Sequence, residues 1–263
     1  MRASMRVLLL AIVFVVGACA QAINVRNYSS SAALYQAGMQ RYEKEKWTDA
    51  ITAFEKLTFD LPTRDTLLPR AHWYLGHARR KNEERVLAAQ SFMRLAELFP
   101  DDTLADDALY WSAVAYREMW RRPTLDPQYG ILAQAQFRTL EGIFPESQFA
   151  DSSKRELAHL DEWFAVKDYE TGMHYYRRRA YDSAIIYFQD VVKNWPNTDN
   201  ARLSMLQLVR IYRLPVLNYK DDADEVCATL RAGFPTDVDV LALCKLPTAP
   251  TATPTATPPA GAW

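Results

Sequence analysis

The sequence predicts an all-α fold built from five repeated helix pairs, closed by a short C-terminal capping helix. Three observations carry the prediction. One pattern recurs five times: an alanine, an aromatic four residues on, an aliphatic seven on and a proline twelve on. Offsets of four and seven fall on one face of a helix, and the proline stops the helix before it. In three copies a glycine stands twelve residues before the alanine, where a small residue lets a second helix approach closely. Finally, only 8 glycines occur among 263 residues, while Ala, Leu, Arg, Glu and Gln are abundant, which favours helix over sheet.

The first copy reads Ala50, Phe54, Leu57 and Pro62, and the second Ala88, Phe92, Leu95 and Pro100. The third is Ala133, Phe137, Leu140 and Pro145, and the fourth Ala184, Phe188, Val191 and Pro196. In the fifth, Ala223, Cys227, Leu230 and Pro235, a cysteine replaces the aromatic. The crossing glycines are Gly38, Gly76 and Gly172. Ala113 takes that part in the third copy, with an eight-residue insertion before the second helix, and Ile211 takes it in the degenerate fifth. A helix pair of about 34 residues with these marks is the tetratricopeptide signature. No pair can bury its own apolar face, so the copies are expected to stack into a right-handed solenoid. The repeat domain is placed at 31–246, with pairs near 31–64, 69–102, 106–147, 165–198 and 204–237 and the cap at 236–246.

The ends read differently. Arg2 and Arg6 precede a ten-residue apolar run, Val7 to Val16, too short for the roughly 20 residues of a membrane span. The run ends in Val16-Gly17-Ala18-Cys19, which looks like a lipobox. Residues 1–18 then form a lipoprotein signal peptide, Cys19 carries the lipid and residues 19–30 link it to the repeats. An ordinary secretory signal with a cysteine near its cleavage point is the simpler alternative. One acyl chain holds a membrane only marginally, so a stable anchor needs the several chains of a mature lipoprotein terminus. Ala20 follows Cys19 where an Asp would suggest inner-membrane retention, which favours the outer membrane. Residues 247–263, PTAPTATPTATPPAGAW, have no apolar periodicity and are expected to be a disordered tail.

Losing residues 1–18 removes two arginines and no acid, leaving 29 basic and 32 acidic residues. That balance argues against nucleic acid as a partner. The four histidines, His72, His77, His159 and His174, form no His-Glu-x-x-His pair, and neither a Gly-rich phosphate loop nor a Gly-x-Ser-x-Gly elbow occurs. No catalytic constellation, metal site or cofactor is expected. Cys227 and Cys244 are read either as two buried thiols or as a bridge, which in the chain-entropy model would add roughly 3 kcal/mol by closing the loop between them.

The informative surface is the first helix of each pair, which lines the concave side of such solenoids. Three residues before the crossing residue stand Tyr35, Trp73, Tyr110 and Tyr169, with Leu208 in the fifth copy. Met39, Tyr42, His77, Arg80, Arg117 and Tyr176 occupy neighbouring groove positions. Two readings fit: a ladder of flat amphipathic contacts for a peptide, or rings buried against one another as core. Arginines gather where the first helices end, at Arg79-Arg80-Lys81, Arg117 with Arg121-Arg122, and Arg177-Arg178-Arg179. They suit the negative end of the helix dipole, or form a rim for acidic partner loops or a peptide carboxylate.

The third repeat carries an insertion with Asp126-Pro127-Gln128 and ends in Pro145-Glu146-Ser147-Gln148-Phe149. A long linking helix through Lys154-Arg155 and Leu160 leads to Tyr175-Tyr176 and Ala180-Tyr181. Over about residues 28–235 these features, with the lipobox, resemble the outer-membrane assembly lipoprotein family known as BamD, YfiO or ComL. That family usually has glycine where Arg179 stands. The resemblance implies a non-catalytic lipoprotein on the periplasmic leaflet of the outer membrane, within the β-barrel assembly machine. It implies C-terminal repeats docked on a POTRA domain of the barrel-forming subunit, possible contact with other assembly lipoproteins, and N-terminal repeats that receive the C-terminal targeting strand of unfolded barrel proteins. A different periplasmic repeat adaptor, for pilus assembly or the cell envelope, is the rival reading.

Overall fold

The computed structural model describes residues 22–245, so the signal segment, Cys19 and the Pro/Thr/Ala tail lie outside the described residues. After a short 3-10 turn at Val25–Asn27, helices follow one another with no strand among the described residues. They are α1 (Ser31–Glu43), α2 (Trp47–Asp60), α3 (Leu67–Lys81), α4 (Arg85–Leu98), α5 (Ala105–Arg117), α6 (Gln128–Ile143), α7 (Ala150–Arg177), α8 (Tyr181–Asn194), α9 (Asp199–Tyr212), α10 (Lys220–Gly233) and α11 (Val238–Leu243). Consecutive helices pair, and the pairs are those of the tetratricopeptide pattern. α7 is a single helix that joins the expected linker to the first helix of the fourth pair.

The repeat residues do what their spacing predicts. Phe54, Phe92, Phe137 and Phe188 are fully buried, as are the alanines four residues before them. Each second helix ends two residues before its proline, at Asp60, Leu98, Ile143, Asn194 and Gly233. The residue in between leaves the helical region because the proline ring crowds it there. The crossing glycines are there for contact: a Cβ on Gly76 would fall 2.6 Å from the Phe92 ring, and one on Gly172 2.7 Å from Phe188.

Within four of the pairs the turn between the two helices passes through a left-handed residue, Glu45, Glu83, Arg179 or Asn218. Each stands five residues before its repeat alanine, so Arg179 occupies a conformation that glycine adopts without strain. In the third pair the insertion replaces this turn. Its anchor is Trp120, 2% exposed, whose ring lies so close to Gly130 of α6 that a Cβ there would fall 2.1 Å away. The fifth pair, expected from about residue 204, begins at Asp199 because the Thr198 hydroxyl caps the helix by accepting from Ala201 N at 3.2 Å. The cap starts at Val238, where the Asp237 carboxylate accepts from Val240 N.

The chain divides into two compact units. Unit 1 comprises residues up to Arg121 together with Leu125–Leu157, and unit 2 comprises Arg122–Thr124 together with residues from Ala158 onward. In unit 2, Glu162 of α7 accepts from Asn200 Nδ2 at 2.6 Å and from the exposed Asp199 N at 3.2 Å. Cys227 and Cys244 are both buried, with Cα atoms 5.3 Å apart and sulfurs at bonding distance.

Candidate functional site

The aromatic residues of the first helices have two kinds of neighbour. Each ladder residue meets the repeat phenylalanine of its own pair, with ring centres 5.9 Å apart for Tyr35–Phe54, 5.6 Å for Trp73–Phe92, 5.8 Å for Tyr110–Phe137 and 5.6 Å for Tyr169–Phe188. This is packing inside the pair, and Tyr35 is buried outright. In the fifth copy Leu208 is buried too. Trp73, Tyr110 and Tyr169 keep part of their surface in solvent.

The second kind of contact reaches across to the next pair. Tyr74 of α3 stands edge-on to Tyr42 at 5.3 Å and to Tyr35 at 6.2 Å, and stacks on Phe54 at 5.7 Å. Trp47 also meets Tyr42, at 5.3 Å. Met39 packs half-buried into this group. One pair further on, His77 sits among Trp73 at 4.4 Å, Phe92 at 4.9 Å and Trp111 of α5 at 5.2 Å. Tyr110 stacks flat on Phe149, 4.1 Å between centres and 8° between planes, and Trp111 meets the same ring edge-on. The half-exposed members Tyr42, Trp73, Tyr74, His77, Tyr110, Trp111 and Phe149 therefore form a strip along the first helices of unit 1.

The electrostatics of the strip are closed rather than open. Arg80 lies over the Trp111 ring at 4.7 Å and pairs with Glu118, which also takes Arg85 at 3.4 Å. Arg117 pairs with Glu156 at 3.2 Å. Neither guanidinium is a free cation waiting for a peptide carboxylate. Burial, then the charges of Arg80 and Lys81, hold His77 at a pKa of about 4, so it is a neutral aromatic near neutral pH. Burial also raises the Tyr35, Tyr42 and Tyr110 hydroxyls above their ordinary value, so they stay protonated.

The sequence reading missed Tyr74, Trp111 and Phe149, and the carboxylates Glu118 and Glu156. Tyr74 and Trp111 each follow a ladder residue by one position, about 100° around the helix, which turns them towards the preceding pair. In unit 2, Tyr176 of α7 lies near Tyr181 at 6.1 Å, and Tyr175 stacks on Tyr187 at 5.4 Å.

A family model described as an outer membrane lipoprotein, YfiO, matches residues 27–228. The chain belongs to the YfiO family. The YfiO match takes in the whole aromatic strip and both units, and ends within α10, before the cap. Among similar proteins, the outer membrane protein assembly factor BamD of Vibrio cholerae is 26% identical over 182 residues, 65% of this chain and 75% of that protein. BamD of Caulobacter vibrioides is 23% identical over 204 residues, 78% of this chain and 66% of that protein. A solved tetratricopeptide repeat protein from Parabacteroides merdae aligns over 82% of this chain and 72% of its own, with 16% identity and a TM-score of 0.37. Among the described residues, no helix of this YfiO protein is long and apolar enough to cross a membrane.

Proposed function

We propose that this chain is a non-catalytic lipoprotein subunit of the machinery that assembles β-barrel proteins into the outer membrane, anchored through Cys19 and facing the periplasm. The observation that carries the reading is the YfiO match over residues 27–228, with relatives named as outer membrane protein assembly factors. In this reading the N-terminal repeats receive the C-terminal targeting strand of unfolded barrel proteins, and the C-terminal repeats dock on a POTRA domain of the barrel-forming subunit.

The strip in unit 1 suits the first task. Its rings are half-exposed and already fixed by one another, so a ligand would not have to order them on binding, and each aromatic pair formed adds about 0.5–1.5 kcal/mol. A terminal carboxylate would have to share Arg80 or Arg117 with Glu118 or Glu156, so recognition rests on the aromatic side chains first. Trp111 and Trp73 are the residues to vary, since truncating the buried Tyr35 would damage the fold instead.

Affinity purification of the intact lipoprotein from detergent-solubilised membranes tests the assignment. Recovery of a POTRA-bearing barrel protein is the expected result, and recovery of pilins or cell-wall enzymes in its place overturns it. The strand-binding part is tested by titrating a terminal barrel-strand peptide onto Trp73→Ala and Trp111→Ala. Affinity unchanged in both would make the strip packing alone.

A further inference from the structure

A cleft of ≈ 330 Å³ opens between the second helices of the first two pairs, with α3 as its floor. It shares no residue with the aromatic strip. Its polar lining is Glu55 of α2, His72 and Arg79 of α3, and Ser91 and Arg94 of α4. Arg79 pairs with Glu55 through one terminal nitrogen and donates to Ser91 Oγ at 2.7 Å through the other, which fixes the guanidinium in place. Its Nε is buried and has no hydrogen-bond partner among the described residues, and the same holds for His72 Nδ1. Arg94 is exposed and has no carboxylate within 4.0 Å among the described residues. Burial and the charges of Arg94 and Arg79 keep the imidazole of His72 neutral. Two guanidiniums thus face one carboxylate, and one positive charge is unanswered.

The repeat does not demand this lining. In the equivalent cleft of unit 2, the positions of Thr58, Ser91 and Arg94 are held by Val192, Val226 and Thr229. At the mouth of the polar cleft stand Phe59, 86% exposed, and Leu87, 41% exposed. We propose that this cleft is a socket for one carboxylate side chain of a partner protein, entering beside an apolar residue that covers Phe59. A single Asp or Glu balances the charge, accepts from Arg94 and Arg79, and needs only a side chain's volume. The inference is independent of what the aromatic strip binds.

The test uses the mature full chain with its arginine and histidine side chains isotopically labelled, and acetyl-Leu-Glu-Leu-amide as the probe. Expected are saturable shifts at Arg79, Arg94 and His72. The matching glutamine peptide should bind roughly tenfold more weakly, the scale of a charge-assisted hydrogen bond. Arg94→Thr, which installs the unit 2 residue on an exposed position, should cost a similar factor with an unchanged unfolding midpoint, and Arg94→Lys should recover part of it. Equal binding of the Glu and Gln peptides, or no shift with either, overturns the socket. Displacement of the peptide by equimolar inorganic phosphate overturns it as well, because the cleft would then be a site for free anions.

Discussion

Replacing glycines one at a time by alanine separates close helix contact from helix propensity. Alanine is favoured over glycine in a helix interior by about 1 kcal/mol wherever it fits. At Gly142 of α6 a new Cβ meets nothing within 4 Å, so Gly142→Ala should gain part of that amount, reduced because the position is next to the helix end. At Gly76 the same Cβ would lie 2.6 Å from Phe92 Cε1 and 2.8 Å from two further ring atoms. An ordinary carbon–carbon contact is about 3.5–4.0 Å, so the ring would have to retreat by most of an ångström. Phe92 has no room to do so, being fully buried with Trp73 and His77 edge-on to it at 5.6 and 4.9 Å. Overpacking of this kind costs about 1–3 kcal/mol, and the propensity gain offsets about 1 of it, leaving Gly76→Ala roughly 1–2 kcal/mol less stable than the parent. Gly38, where the Cβ would fall 3.1 Å from Phe54 and Ala53, should lie between the two. Urea titrations followed by circular dichroism read this order directly, since all three glycines belong to unit 1. If Gly76→Ala is as stable as Gly142→Ala at equal m, the helices do not meet as described and the crossing residue has no packing role.

Three further outcomes follow from single features. His72 and His77 both have folded pKa values of about 4 against an ordinary 6.5, so below pH 6.5 the unfolded chain binds more protons and stability falls as pH drops towards 4. For the buried His72 the loss between pH 7 and pH 5 is about 2 kcal/mol, with less from the half-exposed His77, and a His72→Gln variant should show a shallower pH dependence of its urea midpoint. Arg179→Gly relieves a left-handed residue at φ 61° and should stabilise unit 2 by about 0.5–1 kcal/mol in the same titration, whereas a loss would mean the turn is not left-handed. If Cys227 and Cys244 are bridged, reduction should cost roughly 3 kcal/mol and free two thiols together, and the double serine variant should then ignore reductant.

The second helices were almost fully legible in the sequence, and the candidate site much less so. Ala, Phe, the aliphatic residue and Pro all act within one helix or against its own partner, so spacing alone assigns their roles. Burial of Phe54, Phe92, Phe137 and Phe188 and the helix ends before Pro62 and Pro100 bear this out. The strip depends on how one pair sets against the next. Glu118 is 38 residues from Arg80, and no period in the sequence links them. Tyr74 and Trp111 were hidden for a related reason, because they stand one step away from the position that repeats. Trp120 was hidden because it lies in an insertion with no periodicity, where only Gly130 opposite it hints at a flat ring pressed against backbone.

The residues four places after the crossing position show what the first-helix surface is for. In unit 1 they are Tyr42, Arg80 and Arg117, and each is committed to the next pair: Tyr42 to Tyr74, Arg80 to Trp111 and Glu118, and Arg117 to Glu156. One repeat position thus serves as a clasp between neighbours, made of aromatic contact in the first pair and of ion pairs in the next two. Each ion pair is partly buried, so removing one partner leaves the other charge poorly solvated. A loss of ligand binding in Arg80 or Arg117 variants therefore cannot be assigned to a lost anion contact, because the same change loosens the stack that holds the rings in line. The rings beside the clasp carry no such duty on their outer edges. Trp73 and Trp111 can lose their exposed surface to a ligand while His77 and Phe92 still hold them from beneath. Recognition in unit 1 is consequently a matter of aromatic edges presented by an electrostatically closed scaffold, and the arginines bind the protein to itself.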